Sequence, residues 1–359
     1  MVRPTYVEIS LDAIGNNVRA LSELISPSLV CAVVKADGYG HGDVPVASAA
    51  VEAGATWIAV ALVEEAIRLR EAGVSAPILL LSQPGADSVD DIISWDLTPT
   101  VYSTEFLEAL SVSGFKGAPH IKIDTGMHRV GANPEALLGL IGAIDAKPGL
   151  DVGAVWSHFS VADTDPVFTR KQIERFDDAV SGHDLPMQHL ANTAGAVLYP
   201  QARRDLSRIG LGLYGLHPNP ETADVVSLQP AMRLITHVSH VQQLQAGDRP
   251  SYGGIRELQE ATTVVTAPVG YADGFARGLS TDGSVIISGK RFPLAGAVTM
   301  DQIMIDVSDE DVGVGDEVVL LGSQGDETIG ADEWAGRLNT ISYEVVCSIG
   351  PRVPRRYLT

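Results

Sequence analysis

Leu29-Val30-Cys31-Ala32-Val33-Val34-Lys35-Ala36-Asp37-Gly38-Tyr39-Gly40-His41-Gly42 is an unbroken apolar run that ends on a lysine and passes into a glycine-rich loop. Consecutive apolar residues predict a strand buried on both faces, as in a parallel sheet. Before this strand, Leu11, Ile14, Val18, Leu21 and Ile25 recur at three- and four-residue steps, an amphipathic helix with Ser10 available as N-cap. After it comes a second apolar run at 57–62, then a helical pattern over 63–72 that stops at Gly73. Further runs lie at 78–81, 97–101, 120–124, 152–158, 187–191 and 208–213. Another helix is marked by Phe168, Gln172, Ile173, Phe176 and Val180 after Asp165-Pro166. Eight strands separated mostly by helices predict an α/β fold, an N-terminal (β/α)8 TIM barrel, with a doubly wound open sheet as the competing arrangement.

After about residue 234 the texture changes. Short β-branched segments at 262–269, 284–288, 302–307 and 317–321 are separated by Gly or Asp turns, which predicts a C-terminal all-β domain. Asp282-Gly283 and Ser288-Gly289-Lys290 read as hairpin turns. The expected division is a barrel over 1–236 and a β domain over 237–359, with an opening strand at about 5–10 that can join the β domain.

Composition narrows the function classes. At 359 residues the chain is long for one ordinary domain, and 45% hydrophobic with 19% charged residues is a globular balance. A net charge of −20 argues against nucleic acid, which needs clustered Lys and Arg. The two cysteines, Cys31 and Cys347, form no CxxC or zinc pattern, and His237 and His240 have no neighbouring ligands, so no metal is expected. The N-terminus lacks a signal-type apolar stretch, and no run reaches the about 18 apolar residues of a membrane span. The expectation is a soluble cytoplasmic protein with no membrane partner.

Polar groups gather where the strands end. At the C-terminal end of a barrel strand, Lys35 lies where partial desolvation favours a free amine able to form a Schiff base; a lysine snorkelling from a strand end is the alternative reading. Asp-Thr-Gly-Met-His-Arg over 124–129 follows the fifth strand, His158 closes the sixth, Asn192-Thr193 the seventh, and Arg208 opens the eighth. Gly210-Leu211-Gly212-Leu213-Tyr214-Gly215 matches GxGxxG, but His217-Pro218-Asn219-Pro220 follows where a dinucleotide fold needs a helix. A phosphate held by backbone N–H groups after strands 7 and 8 of a barrel fits better, with Thr193 adding a hydroxyl. Tyr271, between glycines in 269–275, is a candidate acid or base or else a half-buried aromatic of a sheet. Val298-Thr299-Met300-Asp301 and Ser342-Tyr343-Glu344 are ambiguous alone.

Seven segments together are specific: AVVKADGYGHG (32–42), IKIDTGMHRVG (121–131), HLANTAG (189–195), RIGLGLYG (208–215), VGYADGF (269–275), VTMDQ (298–302) and SYEVVCSIGPRVPRRY (342–357). In order and spacing they resemble the alanine racemase family, over essentially the whole chain from about Tyr6 to Tyr357. The resemblance implies pyridoxal 5'-phosphate as cofactor, held covalently by Lys35. It implies Tyr39, Thr193, Gly210, Leu211 and Tyr343 around the phosphate, with Asn192 beside them, and Arg208 at the pyridine nitrogen. Arg129 would reach the cofactor and the substrate carboxylate, and Lys122 matches a lysine that is carbamylated in some members. His158 falls where the family links the pyridine arginine to the catalytic tyrosine. Tyr271, Met300 and Asp301 match positions at the substrate side, with Tyr271 and Met300 supplied by the partner of a homodimer with shared active sites. Two-base racemisation of alanine follows, Lys35 on one face and Tyr271 on the other, supplying D-alanine for peptidoglycan.

Two positions depart from the pattern. Thr193 stands where many members have serine, which keeps the hydroxyl. Ala297 stands where many have an arginine at the mouth of the substrate channel, which bears on substrate breadth. A serine or broader-specificity racemase is therefore the alternative. A basic amino-acid decarboxylase of the same architecture would pair the pyridine nitrogen with a carboxylate, and Arg208 argues against it. A non-enzymatic cofactor carrier would lack the β domain.

Overall fold

The computed structural model describes residues 3–359. The chain divides into two compact units. One holds the described residues up to Leu11, with Tyr39–His41 and Pro230–Thr359; the other holds Asp12–Gly38 and Gly42–Gln229.

The first strand, β1 (Tyr6–Ser10), belongs to the former unit. The barrel strands follow: β2 (Leu29–Val33), β3 (Trp57–Val60), β4 (Ile78–Leu80), β5 (Thr100–Val101), β6 (His120–Lys122), β7 (Ala154–Trp156), β8 (Gln188–His189) and β9 (Leu206–Ile209). They pair in parallel as β4-β3-β2-β9 and β5-β6-β7-β8. Two seams close the ring. Leu80 N donates to Thr98 O at 3.0 Å between β4 and the approach to β5, and Arg208 N donates to Ala191 O at 3.0 Å between β9 and the end of β8. Val30, Cys31, Ala32 and Val33 of β2 are all buried, as the apolar run requires. Around the ring, helix Leu11–Ile25 turns Ile14, Val18, Leu21 and Ile25 inward, each such side chain contributing about 1.5–3 kcal/mol on burial. In helix Pro166–Val180, the Asp165 side chain accepts from Val167 N and Phe168 N and so supplies the N-cap.

The eighth strand differs from its expected position. It runs over Leu206–Ile209 rather than 208–213, so Arg208 is an interior strand residue and does not open it. The apolar character of 211–214 belongs to a buried 3-10 turn, Leu211–Tyr214, that ends on left-handed Gly215. The run was apolar because the turn is buried, not because it is extended.

The other unit contains β10 (Met232–His237), β11 (His240–Leu244), β12 (Thr262–Ala267), β13 (Ser284–Ile287), β14 (Lys290–Pro293), β15 (Ile303–Ser308), β16 (Glu317–Gln324), β17 (Glu327–Ile329) and β18 (Arg355–Leu358). One sheet has the order β14-β13-β16-β10-β1-β18 with β17 paired to β16, and a second has the order β11-β12-β15. β1 lies antiparallel to β10, Val7 opposite Leu234, and parallel to β18, Val7 opposite Arg355. Ser288 and Gly289, both at positive φ, turn β13 into β14 as a two-residue hairpin. Asp282-Gly283 is not a hairpin turn. It follows the 3-10 segment Arg277–Ser280, and Gly283 N bonds back to Leu279 O at 2.8 Å before β13 begins. Two short helices, Ala331–Leu338 and Ser342–Cys347, complete the unit. Among the described residues no helix is long and apolar enough to cross a membrane.

Candidate active site

Lys35 lies one residue beyond the end of β2, after Val34, and starts a turn of unusual hand. Ala36, Asp37, Gly38 and Tyr39 all have φ between 53° and 60°. Left-handed backbone costs roughly 1–2 kcal/mol for each residue with a Cβ, and three of these four have one. The turn is held by its surroundings. Gly38 N donates to Val34 O and Gly42 N to Asp37 O, both at 2.8 Å. Glu65, 7% exposed, accepts from Ala36 N at 2.6 Å through Oε1. Its Oε2 takes Ala61 N at 2.8 Å and Leu62 N at 3.1 Å. One buried carboxylate thus ties the lysine turn to the end of β3. Nothing in the sequence singled out Glu65; only its place three residues after Leu62, as the N3 acceptor of helix Val63–Glu71, hinted at a capping role. Glu65→Ala should strand three amide donors and lower stability by roughly 3 kcal/mol or more, with Glu65→Gln intermediate. Thermal unfolding of the three proteins checks this, and an unchanged midpoint in Glu65→Ala would remove the role.

The barrel mouth is dominated by cations. Lys122 ends β6 and is 4% exposed. Burial first, then Arg208 and Arg129, push its ammonium down to about 7, with Asp124 opposing and Lys35 adding to the repulsion. Arg208 is 2% exposed, and burial lowers its guanidinium to about 10, so it remains charged at neutral pH. Its Nη1 donates to His189 Nδ1 at 2.7 Å and His189 O at 3.2 Å. Its Nη2 donates to Ser157 O at 2.7 Å, Leu190 O at 3.1 Å and His158 Nδ1 at 3.3 Å. None of these five bonds uses Nε. The Lys122 Nζ and the Arg208 guanidinium lie 4.3 Å and 4.5 Å from the centre of the Trp156 ring, whose negative π face is the nearest substitute for a counter-ion. Among the described residues, Arg208 has no carboxylate partner. Asp124 is occupied by Gly126 N and Met127 N, both at 2.9 Å. Arg129 is exposed on the loop after β6. Buried positive charge without a carboxylate is expensive, and this arrangement is suited to an anionic ligand.

Beneath Arg208 lies a chain of neutral rings. His189 Nε2 is 3.1 Å from His120 Nδ1. Because Arg208 can only donate, His189 Nδ1 accepts, its proton sits on Nε2, and His120 Nδ1 accepts in turn. Burial and Arg208 push His120 down to about 3 and hold His158 and His189 well below 6.5. The sign of the pH effect follows. Below 6.5 these histidines bind protons in the unfolded chain and not in the folded one, so their stabilisation is lost as pH falls toward the folded values. Each adds a slope of roughly 1.4 kcal/mol per pH unit in that window. Urea unfolding at pH 7, 6 and 5 should show stability falling ever more steeply; a flat profile would contradict it.

After β8 and β9 the small polar groups meet. Thr193 Oγ1 accepts from Gly210 N at 3.1 Å and Gly212 N at 3.4 Å. A Cβ on Gly212 would come within 2.8 Å of Thr193 Cγ2, so this approach needs glycine. Asn192 is the N-cap of helix Thr193–Leu198, its Oδ1 accepting from Gly195 N at 2.9 Å. Leu211 opens the 3-10 turn beside them.

The remaining candidates belong to the unit with the β sheets. Tyr39 and Tyr343 face each other with ring centres 6.0 Å apart, and burial raises the Tyr39 phenol. Tyr271 lies on the 3-10 turn Tyr271–Asp273 and is 43% exposed; Met300 is 52% exposed. Tyr271 N donates to Thr299 O at 3.0 Å and Ala272 N to Met300 O at 3.1 Å, so the two loops adjoin. Asp301 pairs with Arg352 at 2.7 Å. The Ala297 side chain is buried.

A closed barrel with a strand-end lysine and a cationic mouth, joined in one chain to a β unit with an exposed tyrosine turn, is the architecture of a barrel-type enzyme. Residues 9–218 match the alanine racemase N-terminal domain and 231–357 the alanine racemase C-terminal domain. An alanine racemase of Symbiobacterium thermophilum is 43% identical, over 99% of this chain and 97% of its own. The crystal structure of alanine racemase from E. faecalis superposes with a TM-score of 0.94 at 37% identity, over 99% of this chain and 98% of that one. A histidine racemase from Leuconostoc mesenteroides subsp. sake aligns with a TM-score of 0.91 at 28% identity, over 100% and 99% of the two chains. The chain belongs to the alanine racemase family, and it is an isomerase.

Proposed function

We propose that the protein interconverts L- and D-alanine with pyridoxal 5'-phosphate, using Lys35 on one face of the α-carbon and Tyr271 of the partner subunit on the other. The observation that supports this most is the buried, carboxylate-free Arg208 among Lys35, Lys122 and Arg129. The residues present fit the cofactor. Lys35 offers an amine at a strand end, the arginines Arg208 and Arg129 suit an anionic cofactor, and Thr193 with the backbone of 210–212 forms a compact polar corner. Arg208 keeps Nε for the pyridine nitrogen, and Tyr39 with Tyr343 offers two phenols for the phosphate. Asn192 acts through the helix it caps.

When bound, the cofactor withdraws the electron pair released at the α-carbon. The chain's own residues do the rest. Arg208, charged and held by five acceptors, disfavours protonation at the pyridine nitrogen and so limits side reactions. His158, neutral and bonded to Arg208, faces the same region. Arg129 attracts the substrate carboxylate. Lys35 and Tyr271 each take or return one proton.

Exposed Tyr252, Ile255, Tyr271 and Met300 support a homodimer interface on the β unit. The product would serve peptidoglycan assembly. A broader substrate range is the second reading, favoured by Ala297 in place of the arginine of many members and by the histidine racemase of the same fold. Purified protein with added pyridoxal 5'-phosphate should form D-alanine from L-alanine much faster than it inverts serine, lysine or histidine. Comparable rates on the larger amino acids would favour the second reading, and no inversion of any would overturn both.

A further inference from the structure

The turn that bears Tyr271 is only three residues long, is flanked by Gly270 and left-handed Gly274, and presents a half-exposed ring. Such a segment does not hold an aromatic side chain in one place by itself. Asp273, at the end of the turn, is completely buried. Its Oδ2 accepts from Gly270 N at 3.0 Å, and its two oxygens receive the fork of Arg3, Nη1 to Oδ1 at 2.6 Å and Nη2 to Oδ2. Arg3 also reaches the front of the segment, with Nε and Nη2 donating to Pro268 O at 3.0 and 2.8 Å. One guanidinium therefore grips both ends of 268–273. Arg352 lies on the other side, its Nε 3.5 Å from Asp273 Oδ1 and its Nη2 2.7 Å from Asp301 Oδ1. It links the tyrosine turn to the loop of Met300. Gly270 is pressed so close to that loop that a Cβ would meet Thr299 O at 2.3 Å. Burial would raise the Asp273 carboxyl, but the bonds from Arg3 and Gly270 N and the charge of Arg352 outweigh it and hold it below the usual range. The carboxylate receives a bidentate fork, a geometry that fixes direction as well as distance.

We propose that Arg3, Asp273 and Arg352 are positioning residues that aim the Tyr271 phenol, an inference that rests on reading Tyr271 as one of the two bases. None of the three need touch the substrate. Their effect should be confined to the proton transfer on the tyrosine face. The opposite face gives an internal control. In deuterium oxide, Lys35 can take the α-proton of the enantiomer that faces it, exchange that proton with solvent, and return a deuteron to the same face. C–H becomes C–D with configuration kept, and Tyr271 is not involved.

Arg3 is partly exposed, so Arg3→Gln is the variant of choice, with Arg3→Lys as the conservative partner and Arg352→Gln as an independent probe. In the holoenzyme, Arg3→Gln should slow inversion about tenfold or more. KM and deuterium exchange with retention of one enantiomer should stay within about twofold of the parent. Arg3→Lys should recover part of the loss. In the protein without cofactor, the amides of Gly270 and Tyr271 should exchange with solvent faster in Arg3→Gln. If inversion and retentive exchange fall together, or if neither inversion nor amide exchange changes in Arg3→Gln and Arg352→Gln, the positioning role is overturned. Tyr271→Phe measured alongside separates the levels. If it inverts alanine at the parent rate, the base assignment falls and the proposal with it. If it is impaired while the arginine variants are not, the base stands and only the proposal fails.

Discussion

Lys35→Ala should lose racemisation by on the order of 10³-fold or more, because it removes both the amine that holds the cofactor and one of the two bases. The substitution is sterically mild. Lys35 precedes the left-handed residues rather than joining them, and Glu65 still anchors the turn at Ala36 N. Loss of activity should therefore come without loss of fold. The check is D-alanine formed from L-alanine, together with the absorbance of protein-bound pyridoxal 5'-phosphate, against circular dichroism as the control. Retained inversion in either direction would sink the covalent role of this lysine.

Tyr271→Phe should come next in size. It keeps the ring and removes only the hydroxyl, so cofactor binding should be unchanged while inversion falls by about 10²–10⁴-fold, or roughly 3–5 kcal/mol in the barrier. The turn itself should survive, since its anchors are Asp273 and the backbone bonds to Thr299 and Met300, not the phenol. A mixed dimer gives the sharper measurement. A Lys35→Ala chain paired with a Tyr271→Phe chain has, if the sites are shared, one site with both bases intact. Such a dimer should recover about half the parent activity although each variant alone is nearly inert. No recovery after verified mixing would count against shared sites.

Much of the barrel could be read from the residues because burial on both faces makes strands such as β2 and β3 continuous apolar runs. The reading failed where apolar character had another cause. Residues 211–214 are buried in a turn, which moved the eighth strand and put Arg208 inside it. The left-handed hand of 36–39 was not legible, since Ala36 and Tyr39 are not residues that favour it; the tertiary bond from Ala36 N to Glu65 and the local bond from Gly38 N to Val34 O hold it. The lysine announced itself by residue type and place, and the arginine by residue type alone, its place in the strand having been misread. His120, His189, Trp156 and Glu65 did not, because their significance lies in contacts with residues distant in the chain, between strands for the rings and between a helix and the lysine turn for Glu65. Likewise Arg3 and Asp273 are about 270 residues apart, and no local pattern couples them.

The placement of β1 sets an order of events during synthesis. Val7 pairs on one side with Leu234 and on the other with Arg355. At about 5–20 residues per second, the first of these partners leaves the ribosome tens of seconds after β1 does, and the second later still. The barrel strands are all translated in that interval. Through it the β1 segment has neither of its partners, and an unpaired segment of strand-forming sequence is a template for wrong pairing between neighbouring chains. Its protection is its own composition: Glu8 and Ser10 alternate with Val7 and Ile9, and Arg3 and Pro4 precede it. A heterologous partner strand or a fused tag at the chain start would therefore act on yield before it acted on activity.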